Sequence, residues 1–208
     1  MFSHVTTVAR PRRLRLVGAA LAVVAAVSSG ACATDGTTPA TATSASSSAA
    51  HAHNTADVTF TRDMVPHHRQ AVEMADLAPS RSSDPRVTML AAQIAAGQGP
   101  EIDQLVGRLR LWGEPVPADH PAMDHGAMDH GAMGGMMSGS DMAELAGLQG
   151  ADFDRKWLSM MIDHHSGAIA MARTELADGA DPDSRALATD IVSAQDAEIT
   201  RMRAILGR

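Results

Sequence analysis

Two histidine pairs in nearly identical surroundings are the residues of this chain best suited to chemistry. They read Met64-Val-Pro-His67-His68-Arg-Gln-Ala71-Val-Glu-Met74-Ala75 and Met161-Ile-Asp-His164-His165-Ser-Gly-Ala168-Ile-Ala-Met171-Ala172, with 97 residues between copies. Neutral imidazoles and thioethers are ligands for borderline and soft metal ions. On an ideal helix Met64 and Ala71 point almost the same way, and His67 and His68 fall on either side of that direction, about 100° apart. Adjacent histidines therefore do not aim at one central ion. One of each pair faces the opposing repeat, and its neighbour serves an adjacent helix or the rim. The competing reading is a set of core-edge histidines satisfied by hydrogen bonds. Duplication of the pair, each with a methionine one turn before it, favours metal ligation by Met64, His67, His68, Met161, His164 and His165.

Glu101 and Glu198 share an inward stripe with Ile94 and Leu105, or Ile191 and Met202. A carboxylate there is costly unless paired. Two readings stand side by side: the pair supports the histidines from a second layer, or the end of the bundle is wet and both are solvated.

A second group of ligands lies between the copies. Residues 120–137 hold His120, His125 and His130 with Met123, Met128, Met133, Met136 and Met137, in a short tandem repeat of Ala-Met-Asp-His-Gly. Imidazole and thioether without thiolate suit Cu(I) and Ag(I), and Cu(II) less well. Methionine is oxidisable and apolar, so a bland solvated loop is a poor explanation for this run. The whole connection between the copies, residues 113 to about 140, is expected to be disordered without ligand, and such a Gly-rich strand can wrap a cation in several ways.

The elements that carry these residues follow from the same offset. Without a gap, Asp84-Pro85 aligns with Asp181-Pro182, Leu90 with Leu187, Ile94 with Ile191, Gln98 with Gln195, Glu101-Ile102 with Glu198-Ile199, and Leu109 with Leu206. The chain is thus two copies of one helical hairpin joined by an unlike linker at about 113–140. Four helices are expected. The first spans about 58–77, capped by Asp57 or Thr55, with Pro66 kinking it or marking its true first turn. The second opens at Asp84-Pro85 and runs to Trp112, interrupted near 97–100. The third covers about 152–177, and the fourth runs from Asp181-Pro182 to Leu206. Met142 to Leu148 adds a short helical turn. Apolar stripes (Phe60, Met64, Ala71, Ala75, Ala78 and Phe153, Trp157, Met161, Ala168, Ala172) recur at helical spacing. Two such hairpins bury their stripes best against each other. The expected fold is all-α, an antiparallel four-helix bundle over residues 57–208.

The chain begins as an export signal would. Arg10, Arg12, Arg13 and Arg15 precede an apolar run from Leu16 to Val27 that is short for a membrane span. Small residues then lead to Cys32, the only cysteine. Residues 1–31 are expected to be a signal peptide, with Cys32 lipidated on the outer face of the membrane; ordinary cleavage to a free secreted form is the alternative. Residues 32–56 are an Ala/Ser/Thr tether expected to stay disordered, with His51 and His53 as solvated residues at its end. The part after the signal carries 13 basic against 24 acidic residues, a net −11, which argues against a nucleic-acid partner and suits a protein that attracts cations.

The pattern Phe-x3-Met-x2-His-His-x2-Ala-x2-Met-Ala followed by Gln-x2-Glu-Ile resembles the bacterial domain-of-unknown-function family 305. Phe60, Met64, His67, His68, Ala71, Met74, Ala75, Gln98, Glu101 and Ile102 match in the first copy. Trp157, Met161, His164, His165, Ala168, Met171, Ala172, Gln195, Glu198 and Ile199 match in the second, with Trp157 in the place of Phe. The resemblance implies a ferritin-like four-helix bundle and, from members that are periplasmic copper-binding proteins, copper binding. The expected function is extracytoplasmic binding of copper, Cu(I) above all, for buffering, storage or handover, with no organic cofactor. The metal ion and, through the anchor, the membrane are the expected partners; a bundle with spare apolar surface could also pair with a second copy of the chain. A structural helical module would explain the repeat but not the Met/His run. A di-metal oxidase is expected less, because no Glu-x-x-His occurs and carboxylates are few.

Overall fold

The computed structural model describes residues 52–118 and 134–207. The signal peptide, Cys32, most of the tether, and His120, Met123, His125, Met128, His130 and Met133 lie outside them. The described residues form five helices and no strand: α1 Thr55–Arg81, α2 Pro85–Trp112, α3 Gly139–Gly147, α4 Gly150–Asp178 and α5 Pro182–Leu206.

Local sequence explains most boundaries. Asp84 and Asp181 cap α2 and α5, each ahead of a proline at the first helical position, where the missing N–H has no partner to lose. Gly113 and Gly207 close the same helices in the left-handed conformation, at φ 75° and 74°. Two expectations at α1 are corrected. Its cap is Asn54, whose side chain accepts from the Ala56 and Asp57 amides while Asp57 reaches back to the Asn54 amide. Helix thus begins at Thr55, inside the span assigned to the tether. Nor is Pro66 a first turn: α1 runs through Pro66 and Pro79 to Arg81. The break expected in α2 near 97–100 is likewise absent, and Pro100 sits exposed inside a continuous helix. The cost of a proline is one backbone bond and one clash, which burial of Ile94, Gln98, Leu105 and Leu109 around it offsets. The predicted turn at 142–148 is α3, capped by Ser138.

Three-residue turns fold α1 onto α2 and α4 onto α5, so each repeat is a hairpin of opposed helices. The repeats meet through α1 and α4, which also run in opposite directions. Asn54 donates to the Asp178 carbonyl at 2.8 Å, His67 faces His164, and the Trp157 indole donates to the Met74 carbonyl at 2.9 Å. Helices α2 and α5 flank this pair. Arg108 on α2 joins them through Asp181 at 2.9 Å. Both apolar stripes are buried, with Met64, Ala71, Ala78, Phe153, Trp157, Met161, Ala168 and Ala172 at 0% exposure. Burial of these stripes from water stabilises the fold.

Each repeat also grips the other's turn. Asp57 accepts from the Ala180 and Asp181 amides at 3.0 and 2.9 Å. At the equivalent position in the second copy, Asp154 accepts from the Ser82 and Ser83 hydroxyls at 2.5 and 2.9 Å. From the sequence alone Asp57 is expected only as a cap. Its partner turn lies more than 120 residues away in the chain, and local periodicity carries no sign of it.

Candidate metal centre

The histidine pairs sit midway along α1 and α4, where the two repeats face each other. His67 and His164 stack ring to ring, with centroids 3.8 Å apart and planes inclined by 41°. Their neighbours turn outward within each hairpin. The His68 Nε2–H donates to Glu101 on α2 at 2.7 Å, and the His165 Nε2–H donates to Glu198 on α5 at 2.8 Å. The 100° separation of adjacent residues on a helix produces this division. Glu101 and Glu198 are therefore not merely solvated: they are 19% and 13% exposed and hold the outer imidazoles.

All four rings are fully buried. Burial disfavours the imidazolium, and the nearby His68 disfavours it further. Against a hydrogen bond to Gly134 that favours charge, they push His67 down to about 3. His164 lies well below the usual histidine range, from burial first and then from His67, His165 and His68. Both inner imidazoles are neutral at pH 7, the state that ligates metal. His67 donates through Nε2 to the Gly134 carbonyl at 3.3 Å, which leaves a lone pair on Nδ1.

Buried ring nitrogens rarely go without partners. Here Nδ1 of His67, His68 and His165 has none, nor has either nitrogen of His164. The buried amides of Gln98 and Gln195, one turn before the two glutamates, also keep unpartnered atoms. Among the described residues no three imidazole, thiolate or carboxylate groups gather as a metal cluster. A closed site of the zinc kind is thus not built there. The donor set is two facing imidazoles, with the fully buried thioethers of Met64 and Met161 one turn before them. That set fits a soft monovalent ion, which accepts few donors and tolerates sulfur.

The linker's ends are held against this centre rather than loose. Arg69 donates to the Pro117 carbonyl at 2.9 Å. Gln70 pairs with the backbone of Met137 through both ends of its amide, at 2.9 and 2.7 Å. Met137 is half-buried against the core. Disorder expected across 113–140 is therefore corrected at both ends of that span. His53, expected to be solvated, stacks on Trp112 with ring centroids 4.4 Å apart.

The family's sequence profile, that of the domain of unknown function DUF305, matches residues 57–206. The chain belongs to the DUF305 family. Among solved structures it is similar to a DUF305 protein from Streptomyces coelicolor, at 34% identity and a TM-score of 0.65, covering 73% of this chain and 92% of that one. A DUF305 fragment from Deinococcus radiodurans is similar at 34% identity and a TM-score of 0.65, covering 74% and 97%. CopM in its Cu(I)-bound form is similar at 32% identity and a TM-score of 0.57, covering 71% and 93%. CopM has also been solved in Cu(II)-bound and Ag-bound forms. No curated protein sequence matches the chain.

Sequence reasoning missed three residues around this centre: Gln70, Gly134 and Gly167. A signal was present in the repeat itself. Gln70 and Gly167 stand at equivalent positions and differ completely in size. A duplicated helix that departs from its copy beside a shared motif marks a place where the surroundings are not duplicated.

Proposed function

We propose that this protein binds copper, as Cu(I) above all, outside the cytoplasm, and that it buffers, stores or hands over the metal rather than transforming a substrate. The observation that carries the reading is the His67–His164 pair: two neutral, fully buried imidazoles in ring contact, with unpartnered nitrogens on both. Such atoms are expensive to bury unless something else binds them. Similarity to CopM, solved with Cu(I), Cu(II) and Ag, supports the choice of metal. In this reading the helices form an antiparallel, ferritin-like four-helix bundle. Met64 and Met161 complete the inner site, Glu101 and Glu198 orient the outer imidazoles, and the Met/His run recruits the ion. The leader and Cys32 place the protein on the outer face of the membrane, with the lipid as anchor. Among the described residues no helix is long and apolar enough to cross a membrane.

The test is an anaerobic competition for Cu(I) against a chromogenic chelator. Three proteins are compared: the mature chain, a His67→Ala/His164→Ala variant and a deletion of 120–133. The double variant is expected to bind the inner ion at least about tenfold more weakly, about 1.4 kcal/mol. A mature chain that draws no more Cu(I) than a methionine-poor helical control overturns the reading. Loss confined to the deletion would leave the buried histidines a structural role only.

A further inference from the structure

One of the positions at which the two repeats differ lies beside the histidines. Gln70 on α1 and Gly167 on α4 are 97 residues apart, the offset of the duplication. Backbone from outside both repeats runs across them. Gly134 and Gly135 lie on Gly167 so closely that a Cβ there would overlap the Gly134 carbonyl. Gly135 has φ 84°, and a Cβ on it would meet the Asp163 carbonyl oxygen at 2.5 Å. Three residues further on, Gln70 holds Met137 by its amide N–H and its carbonyl. Between these anchors the Gly134 carbonyl accepts from His67 Nε2.

We propose that residues 134–137 are a strap that closes the His67–His164 pair, with Gln70 and Gly167 as its positioning residues. Gly167 provides the seat by lacking a side chain, and Gln70 provides the clasp. The strap does two things at once. It shields the facing rings from solvent, and through Gly134 it keeps the proton of His67 on Nε2. An ion reaches the pair when the strap lifts, so the rate of uptake follows the fraction of time it is open. The strap's purpose rests on the metal-binding reading above; its geometry does not.

The test uses the mature chain and its Gly167→Ala, Gln70→Ala and Gln70→Glu variants, without metal and with Ag(I). Hydrogen exchange at the Met137 amide reports the clasp. Carbethoxylation of His67 and His164 by diethyl pyrocarbonate, located by mass spectrometry, reports access to the rings. In the unaltered chain the Met137 amide is expected to be protected. Gly167→Ala and Gln70→Ala should remove that protection and speed modification of both histidines about tenfold or more, with Ag(I) uptake accelerated in parallel. Gln70→Glu keeps the acceptor for the Met137 N–H and loses the donor to its carbonyl, so it should fall between. Alanine favours helix over glycine, so Gly167→Ala should not lower the melting temperature, which separates an open strap from a loosened bundle. An unprotected Met137 amide in the unaltered chain, or ring modification unchanged by Gly167→Ala, overturns the strap. Exchange and modification that change as expected in a protein that takes up no Ag(I) leave the strap standing and defeat the metal reading. Ag(I) bound by the histidines at a rate none of the variants alters does the reverse.

Discussion

At the scale of single residues, two kinds of buried titratable group pull stability in opposite directions with pH. Glu175 is 1% exposed and lies beside Asp57 near the end of α4. Burial above all, then the neighbouring Asp57 carboxylate and the charge of Asp181, raise its carboxyl to about 8, with Arg185 opposing. Asp57 moves the other way. Burial alone would raise it, but the amides of Asn54, Asp181 and Ala180 and the neighbouring Glu175 carboxyl hold it below the usual carboxylate range. Glu175 therefore stays protonated in the fold at pH 7 and ionised in the unfolded chain. Its contribution is fully present below an unfolded value of 4.5 and is lost as pH rises to about 8. The loss amounts to a few kcal/mol at order of magnitude. Glu175→Gln, which cannot ionise, is expected to flatten the decline in denaturation midpoint between about pH 5 and pH 9. Parallel pH profiles for the two proteins would contradict this. His67 acts oppositely. Its folded value of about 3 lies below the ordinary 6.5, so its share of stability is present above 6.5 and is lost as pH falls toward 3.

At the scale of elements, α2 shows tertiary packing overriding local preference. Gly97, Gly99 and Pro100 would break an isolated helix, yet α2 continues through them with Gln98 and Leu105 buried. Its copy α5 has Ala194, Asp196 and Ala197 at those positions. Pro100 is exposed, so replacing it removes no core contact. Pro100→Ala is expected to stabilise the protein by about 1–3 kcal/mol, since it restores a helical hydrogen bond and relieves the ring clash. Urea unfolding measures this, and an unchanged or lowered midpoint would mean that the proline is accommodated without cost. The same element shows how much of the centre was legible. Glu101 falls on the inward stripe, and its relation to His68 follows from repeat register. Whether it was solvated or paired depended on how close α2 lies to α1, which periodicity does not encode.

At the scale of the molecule, the two repeats meet through the same face of each. Met74 opposes Trp157, and the equivalent residues, Phe60 and Met171, line one cleft of about 280 Å³. His67 and His164 are each other's equivalents, so their contact lies on the approximate twofold relating the repeats. A single repeat, residues 52–113, leaves Met64, Ala71, Met74 and Ala78 without cover. It is expected to be unfolded when dilute and to gain helix on pairing with a second copy of itself through that face. Circular dichroism and sedimentation across a concentration series would show the coupling. A helical monomer independent of concentration would show that α1 and α2 suffice alone.

Much of this protein is present in its sequence taken alone. The duplication, the helical class, the apolar stripes and the division of labour within each histidine pair all follow from offsets and from 3.6 residues per turn, which act over short stretches of chain. The tertiary structure decided what depends on segments far apart in sequence meeting in space. It placed His67 on His164, set Asp57 and Asp154 on each other's turns, raised Glu175, and laid Gly134 and Gly135 on Gly167. Each of these needs a particular approach of two backbones, to within an ångström or so, and such distances are fixed only when the whole core packs.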